Sequence, residues 1–479
     1  MKLSLLRRGV WATIVAAALT AACPLAAPGA NAASAAPRLH VSGNRLLDSS
    51  GNQVVLHGMN RSGAEFACVQ GNGIFDGPTD QASISAMKSW GAVVDAVRVP
   101  LNEACWNGES YVNSAYAGTN YINAIKTYVN LLNANGIVAI LDLHWTDGQY
   151  TGPSAGCSSA QATCQKPMPD AAQAIPFWTS VASTFKGNDA VVFDLFNEPY
   201  ASRADNNNSS EGWQCWATGS PCTGISYQVA GMQQMVNAVR STGADNVLML
   251  GGEEYSNDLT GWLQHEPTDP DHNLVASWHS YNNNTCNSQS CWNSQVAPVI
   301  AQVPVVAGEI GEGDCAGGYI DALASWLESQ HTGFLAWTWN AWSGCGPILI
   351  TDYNGTPTAF GAAYKAILAS LDGASTGGSG CGATYQLVNS WAGGFQAQVT
   401  VTNDGSSPTN GWTVTWTFPG DQRITQLWNG SYAQSGPSVT VNSQSYNGAI
   451  AAGGTTTFGF TGTYTANDAA PRGLACTTH

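Results

Sequence analysis

Along most of the chain, apolar residues come in short unbroken runs. The runs are Val54 to His57, Asp95 to Pro100, Ile137 to Leu143, Val191 to Phe196, Asn246 to Leu250, Leu274 to His279, Val303 to Gly308 and Gly333 to Trp339. β-Branched and aromatic residues enrich them, as expected of strands buried on both faces. Between them the period changes to that of a helix. Thr79 to Trp90 opens on Thr79-Asp80 and stops at Gly91, and Tyr121 to Asn135 carries Ile122, Ile125, Val129 and Leu132 and stops at Gly136. Ile225 to Thr242, Ile320 to Ser329 and Phe360 to Leu371 read the same way. Eight buried strands alternating with helices predict a parallel (β/α)8 barrel over residues 37–372, an α/β TIM barrel with enlarged loops.

Gly373 to Gly380 has the composition of a linker. Beyond it the period becomes two. Phe395, Ala397, Val399 and Val401 alternate with polar residues, as do Trp412, Val414, Trp416 and Phe418. This predicts an all-β sandwich over residues 381–479, with Trp412 and Trp416 in its core. Trp391, Trp428 and Tyr446 fall outside the alternation, each beside a glycine-containing turn, and are expected at the surface.

The first 36 residues belong to neither domain. Lys2, Arg7 and Arg8 precede the apolar run Val10 to Leu19, which is too short to span a bilayer, and Ala30-Asn31-Ala32 is a small-residue cleavage site. This is the pattern of a secretory signal peptide, so the protein is expected outside the cell. Removing those three cations from a formal charge of −16 leaves about −19. So acidic a chain is not expected to bind nucleic acid or an anionic membrane. It carries 18 Trp but only 10% charged residues, which suits a neutral ligand with flat apolar faces, such as a sugar.

After the signal an even number of cysteines remains, which in an exported chain implies disulfides. Proximity suggests Cys157–Cys164, Cys215–Cys222 and Cys286–Cys291, and Cys381 and Cys476 bracket the second domain. The cysteines of the first domain all fall after a strand and before its helix, where a barrel has its catalytic rim. No C-x-x-C occurs and His57 stands alone at the first strand, so neither metal nor cofactor is expected.

Two strand runs end in a carboxylate, Phe193-Asp194-Leu195-Phe196-Asn197-Glu198-Pro199 and Val306-Ala307-Gly308-Glu309. Two carboxyl groups on the lips of parallel strands are what glycosidic bond cleavage needs. Glu65, Glu103, Glu253, Glu254 and Glu312 are read as solvated acids. Asp142 and Asp194, inside their strands, are read as hydrogen-bonding groups of the barrel interior.

These two segments resemble glycoside hydrolase family 5, the retaining endoglucanase and mannanase family. Val97-Arg98-Val99-Pro100, Leu141-Asp142-Leu143-His144, Trp278-His279-Ser280-Tyr281 and Trp337-Thr338-Trp339-Asn340 are similar to further motifs of that family. The resemblance implies Glu198 as acid/base and Glu309 as nucleophile. Arg98 and Tyr281 would hold Glu309, and Asn197 would bind the sugar 2-hydroxyl. His144 and His279 would bind hydroxyls or orient Glu198, and Trp339 would stack under the sugar. Cys381 to Cys476 resembles a family 2 carbohydrate-binding module, which implies that Trp391, Trp428 and Tyr446 form a cellulose-binding platform. The expected activity is a secreted, monomeric endo-β-1,4-glucanase acting on a polysaccharide. A mannanase or another β-glucanase is the alternative, and a non-catalytic sugar-binding protein is a more distant one.

Overall fold

The structure is a computed structural model that describes residues 35–155, 158–161, 165–375, 381–403, 405, 407–465 and 471–478. The expected signal segment lies outside them up to residue 34. Ordered packing is already present at Ala36, which is buried and donates its N–H to the Asn133 carbonyl.

Strands β1 (His40–Ser42) and β2 (Arg45–Leu47) form an antiparallel hairpin. The barrel strands are β3 (His57–Asn60), β4 (Val94–Asn102), β5 (Val138–Trp145), β6 (Val191–Asp194), β7 (Leu248–Gly251), β8 (Leu274–Tyr281), β9 (Val305–Gly311) and β10 (Gly333–Ala336). They close in the order β10-β3-β4-β5-β6-β7-β8-β9, with β3 parallel to β10. The first strand starts three residues later than its apolar run suggests. Val54 is drawn instead to the hairpin, where its N–H donates to the Leu46 carbonyl.

Side chains inside the barrel form two layers. Leu39, Leu46 and Leu56 meet Ala96, Val138, Ile140, Val192, Val275, Val306 and Leu335 in an apolar cluster at the N-terminal end. One step of two residues further along the strands, the same inward face carries Arg98, Asp142, Asp194 and Ser277, all buried. The alternation of a strand thus stacks a charged layer on an apolar plug.

Outside the strands, helices such as Thr119–Ala134 and Gly318–Ser329 bury Ile125, Val129, Leu132, Ile320, Leu323 and Leu327 against the barrel. Helix Ala171–Phe185 was not legible from periodicity because Pro176 interrupts it. It is capped by Asp170, whose side chain accepts from the Gln173 N–H. Conversely, the helical pattern from Ile225 is realised only as Met232–Arg240, because the segment before it is held by an antiparallel bridge from Val229 to Asp170. Helix Ala359–Ser375 takes in the first residues of the expected linker.

The second domain is two antiparallel sheets. One has the order β11 (Cys381–Trp391), β12 (Gly394–Asn403), β17 (Thr455–Thr463), β14 (Arg423–Trp428). The other runs β15 (Ser431–Ser435), β16 (Ser438–Asn442), β13 (Trp412–Thr417), β18 (Arg472–Thr478). Trp412, Trp416, Phe418, Phe458 and Phe460 fill the space between them, with the Trp416 and Phe460 rings stacked at 5.5 Å.

Disulfides Cys215–Cys222 and Cys286–Cys291 are as expected from proximity, and the bracketing Cys381 and Cys476 are joined to each other. Cys68–Cys105 and Cys315–Cys345 join segments whose sequence distance does not suggest a pairing. Cys157 and Cys164 lie outside the described residues. Among those residues no helix is long and apolar enough to cross a membrane.

Candidate active site

The charged layer opens at the C-terminal ends of the strands into a site built around Arg98. Its guanidinium is wholly buried and every nitrogen is used. Nε donates to Asp194 Oδ2 at 2.9 Å, and Nη2 to Asn197 Oδ1 at 2.9 Å. Nη1 donates to Glu309 Oε1 at 2.7 Å and to Asn60 Oδ1 at 3.1 Å, and lies 3.2 Å from Asp142 Oδ2. Burial alone would lower its pKa, but Asp142, Asp194 and Glu309 together raise it further, so the cation is permanent. Asp142 and Asp194 are therefore interior hydrogen-bonding groups, as their positions within the strands imply.

Glu309 should point outward if β9 kept a strict alternation. A bulge corrects this. Trp278 pairs with Ala307, and the next pair is His279 with Glu309, which leaves Gly308 unpaired. The inserted residue turns the carboxylate into the barrel. Gly308 leaves room for its neighbours, since a Cβ there would meet Ser277 Oγ at 2.8 Å and force that hydroxyl to shift. Besides Arg98, Glu309 accepts from the Tyr281 hydroxyl, which donates to Oε2 at 2.6 Å.

Glu198 is aimed by different means. It follows β6 in left-handed backbone with φ 50°. Gln165 steadies the turn by donating to the carbonyls of Asn197 and Glu198, at 2.7 and 2.8 Å. His279 Nδ1 stands 3.2 Å from Glu198 Oε1 and 3.7 Å from Glu309 Oε2. One oxygen of each carboxyl group lies within 4.8 Å of the other.

The two acids sit in different surroundings. Burial raises the Glu198 carboxyl from 4.5 to about 7, against the opposing pull of His144 and Arg98. Burial lowers His279 to about 4, so it is a neutral imidazole at working pH. Burial also opposes the charge on His144, but Asp142, whose Oδ2 lies 3.0 Å from Nδ1, outweighs it and raises that imidazole to about 9. A protonated acid and a doubly hydrogen-bonded carboxylate face each other across one gap, the arrangement general acid and nucleophilic catalysis require.

Arg98, His144, Asn197, Glu198, His279, Tyr281 and Glu309 thus gather in one place. Trp339 does not join them. It is fully buried, packed edge-to-face on Trp90 at 4.9 Å, and can offer no face to a sugar. Its neighbour two residues earlier, Trp337, is half-buried and stacks on His144, with ring centroids 5.2 Å apart and planes 14° apart. Within Trp337-Thr338-Trp339 the motif does not say which indole turns inward. The early end of β10 at Ala336 frees Trp337 to face the site. Asn60 and Gln165 also belong to the site and were missed. Asn60 lies at a strand end, the signal that could have found it, whereas Gln165 lies in a loop next to a cysteine and gave none.

The acids read as solvated need correction as well. Glu65, Glu103, Glu253 and Glu312 are all buried. Each accepts backbone N–H groups from a loop or from the first turn of a helix: Gly63 for Glu65, Asp147 for Glu103, Ala201 and Ser202 for Glu253, and Ile320 for Glu312. Long loops need their amides satisfied, and a carboxylate meets that need without regular structure. Glu254 is only partly buried.

In the sandwich, Trp391 pairs with Gly394 and Gly394 with Thr463, while Trp428 pairs with Gly459. Directly paired residues share a face, and Gly459 and Thr463 lie four apart on β17. Both indoles therefore project from one face, opposite to buried Phe458 and Phe460. A Cβ on Gly394 or Gly459 would strike the Trp391 or Trp428 ring, so glycine lets each indole lie down on the sheet. The two are about 13 Å apart along the strands and about 14 Å across them. Tyr446 is 70% exposed, and its hydroxyl is 3.2 Å from Asn429 Oδ1, beside Trp428.

A family model described as Cellulase (glycosyl hydrolase family 5) matches residues 47–343, more than half of the chain. A second, for a cellulose binding domain, matches residues 381–478. Endoglucanase A of Thermobispora bispora is 62% identical over 88 residues, which are 18% of this chain and 19% of that protein. Endoglucanase CelA of Streptomyces lividans is 42% identical over 94 residues, 19% of this chain and 20% of that protein. The chain spans about a fifth of the length of these relatives. A β-glucanase of Saccharophagus degradans, solved in complex with cellotetraose, aligns with TM-score 0.52 and 16% identity over 72% of this chain and 97% of that one. At that identity the likeness is one of fold.

Proposed function

The chain belongs to glycosyl hydrolase family 5, and from that premise we propose that it is a secreted endo-β-1,4-glucanase that cleaves by double displacement. The observation that carries this reading is the approach of Glu198 and Glu309, with carboxylate oxygens within 4.8 Å. Retaining glycosidases hold their carboxyl groups about 5–5.5 Å apart, and inverting ones leave about 6.5–9.5 Å for a water.

Glu198, protonated up to about pH 7, gives its proton to the departing glycosidic oxygen. Glu309, positioned by Arg98 and Tyr281, attacks the anomeric carbon. Water then enters on the side the leaving group vacated, and Glu198 takes its proton as base. His279, neutral and 3.2 Å from Glu198, orients the acid without competing for the proton. Asn197 is held through its oxygen by Arg98 and keeps an amide hydrogen for the sugar 2-hydroxyl. The sugar under attack rests on Trp337 rather than Trp339.

Trp391, Trp428 and Tyr446 are proposed to bind cellulose, in keeping with the match of residues 381–478 to a cellulose-binding domain. Secretion is supported by the amino-terminal signal pattern and by the disulfides. Both acids and their supports lie in one chain, which suits a monomer. Reducing-sugar release from carboxymethylcellulose, lichenan, laminarin and mannan tests the assignment. Carboxymethylcellulose and lichenan should be cut and mannan and laminarin left. Preference for mannan would replace the reading by a mannanase.

A further inference from the structure

Glu198 and His279 stand 3.2 Å apart, yet they come from strands that are not neighbours. β7 runs between β6 and β8. It pairs Gly251 with Ser277 and ends there, two residues short of His279. The ladder of the barrel therefore does not reach the level of the acid and its imidazole. The loop that follows β7 does.

One end of that loop grips the segment after Glu198. The Tyr255 N–H donates to the Pro199 carbonyl at 2.9 Å. Buried Glu253 accepts from the N–H groups of Ala201 and Ser202 at 3.2 and 3.0 Å, in the first turn of the short helix Ala201–Ala204. Glu254 accepts from Ser202 Oγ and Arg203 Nε, both at 2.7 Å.

The other end grips the strand that carries His279. Buried Asn257 donates from Nδ2 to the His279 carbonyl at 2.8 Å. Its backbone carbonyl accepts from Trp278 Nε1 at 3.1 Å. Its Oδ1 accepts from the Cys286 N–H at 2.8 Å, and a disulfide ties Cys286 to Cys291.

Between the two ends the backbone is strained. Glu254, Tyr255 and Ser256 are all left-handed, with φ of 54°, 62° and 58°. None is glycine, and such conformations persist only where the surroundings dictate them. Here the bonds at both ends dictate them. The Asp258 N–H, donating to the Glu253 carbonyl at 3.0 Å, closes the loop on itself. One tight loop thus sets the spacing of the two segments it joins.

We propose that Glu253 and Asn257 are positioning residues of the acid, Glu253 setting the turn that carries Glu198 and Asn257 the strand that carries His279. This rests on the reading of Glu198 as the acid. Both side chains spend their polar atoms on backbone groups, so each acts through the residue it holds. General acid catalysis contributes about 10²–10⁴-fold, and a misplacement of about 1 Å can cost much of that.

The test compares two substrates of the same shape. Phenyl and 2,4-dinitrophenyl β-cellobioside both present one ring on the leaving-group side. Phenolate needs the proton, and dinitrophenolate departs without it. Asn257→Ser and Glu253→Gln each loosen one grip of the loop. Each should lower kcat/KM on the phenyl glycoside roughly tenfold, through kcat rather than KM, and leave the dinitrophenyl glycoside within about twofold. Circular dichroism and thermal melting check the fold. The two substitutions are independent, so either alone decides the matter should the other fail to fold. A folded variant that loses equally on both substrates, or nothing on the phenyl glycoside, would overturn the proposal. Glu198→Gln should show the same split on a larger scale. If it shows none, the reading of Glu198 as the acid falls instead.

Discussion

Replacing Glu198 by glutamine should abolish acid catalysis and at the same time stabilise the fold, the second effect growing with pH. Burial raises the folded-state carboxyl from 4.5 to about 7. A group with a raised folded pKa contributes its stability below the unfolded pKa and loses it as pH rises through the folded one. The loss therefore falls between about pH 4.5 and 7. In free energy the wild-type chain gives up under about 1 kcal/mol by pH 5 and about 3 kcal/mol by pH 8. Glutamine has no such titration, so the variant's advantage should widen by roughly 2 kcal/mol across that interval. Its neighbours do not confuse the signal, because His279 at about 4 and His144 at about 9 both keep their charge state over most of it. Urea unfolding at both pH values, with disulfides intact, provides the assay. Helical circular dichroism is the signal, one that the strand-only C-terminal module does not carry. An advantage equal at pH 5 and pH 8, or a variant less stable than wild type at pH 8, would refute the view that burial sets the pKa of this acid.

Arg98→Met should destabilise the barrel by about 3–5 kcal/mol, because Asp142, Asp194 and Glu309 would be left buried without their shared cation; the same unfolding assay measures it. Trp337→Ala should lower kcat/KM by about tenfold with little loss of stability, while Trp339→Ala should cost about 3–5 kcal/mol of stability through the void beside Trp90. Steady-state kinetics set beside unfolding separates the two. Replacing Trp391, Trp428 and Tyr446 together by alanine should weaken adsorption to microcrystalline cellulose and leave hydrolysis of soluble substrate unchanged, as pull-down and reducing-sugar assays would report.

The strands that carry the site were legible because each is an apolar run that ends abruptly. Arg98, Asp142, Asp194 and His279 follow from the two-residue period once the strand is placed. Glu309 breaks that period, and its inward turn depends on the bulge at Gly308, which only pairing with β8 reveals. The choice between Trp337 and Trp339 fails for a similar reason, since it turns on where β10 stops. The buried acids were misread because composition treats a carboxylate as solvated, and their partners are backbone amides that only the folded chain aims at them, whether near in sequence as Gly63 is to Glu65 or distant as Ala201 is from Glu253. Disulfides closed over short spacing were visible, but Cys68–Cys105 and Cys315–Cys345 depend on the loops meeting in three dimensions.

The central claim is that Glu309 attacks carbon while Glu198 handles the proton. Inactivation by an activated 2-deoxy-2-fluoro-β-cellobioside, which slows release of the glycosyl-enzyme, followed by peptide mass spectrometry, tests it most directly. The account predicts one fluorinated disaccharide per chain, bound through an ester on Glu309. A label on Glu198 or elsewhere, or an unlabelled enzyme releasing product of inverted anomeric configuration, would contradict it.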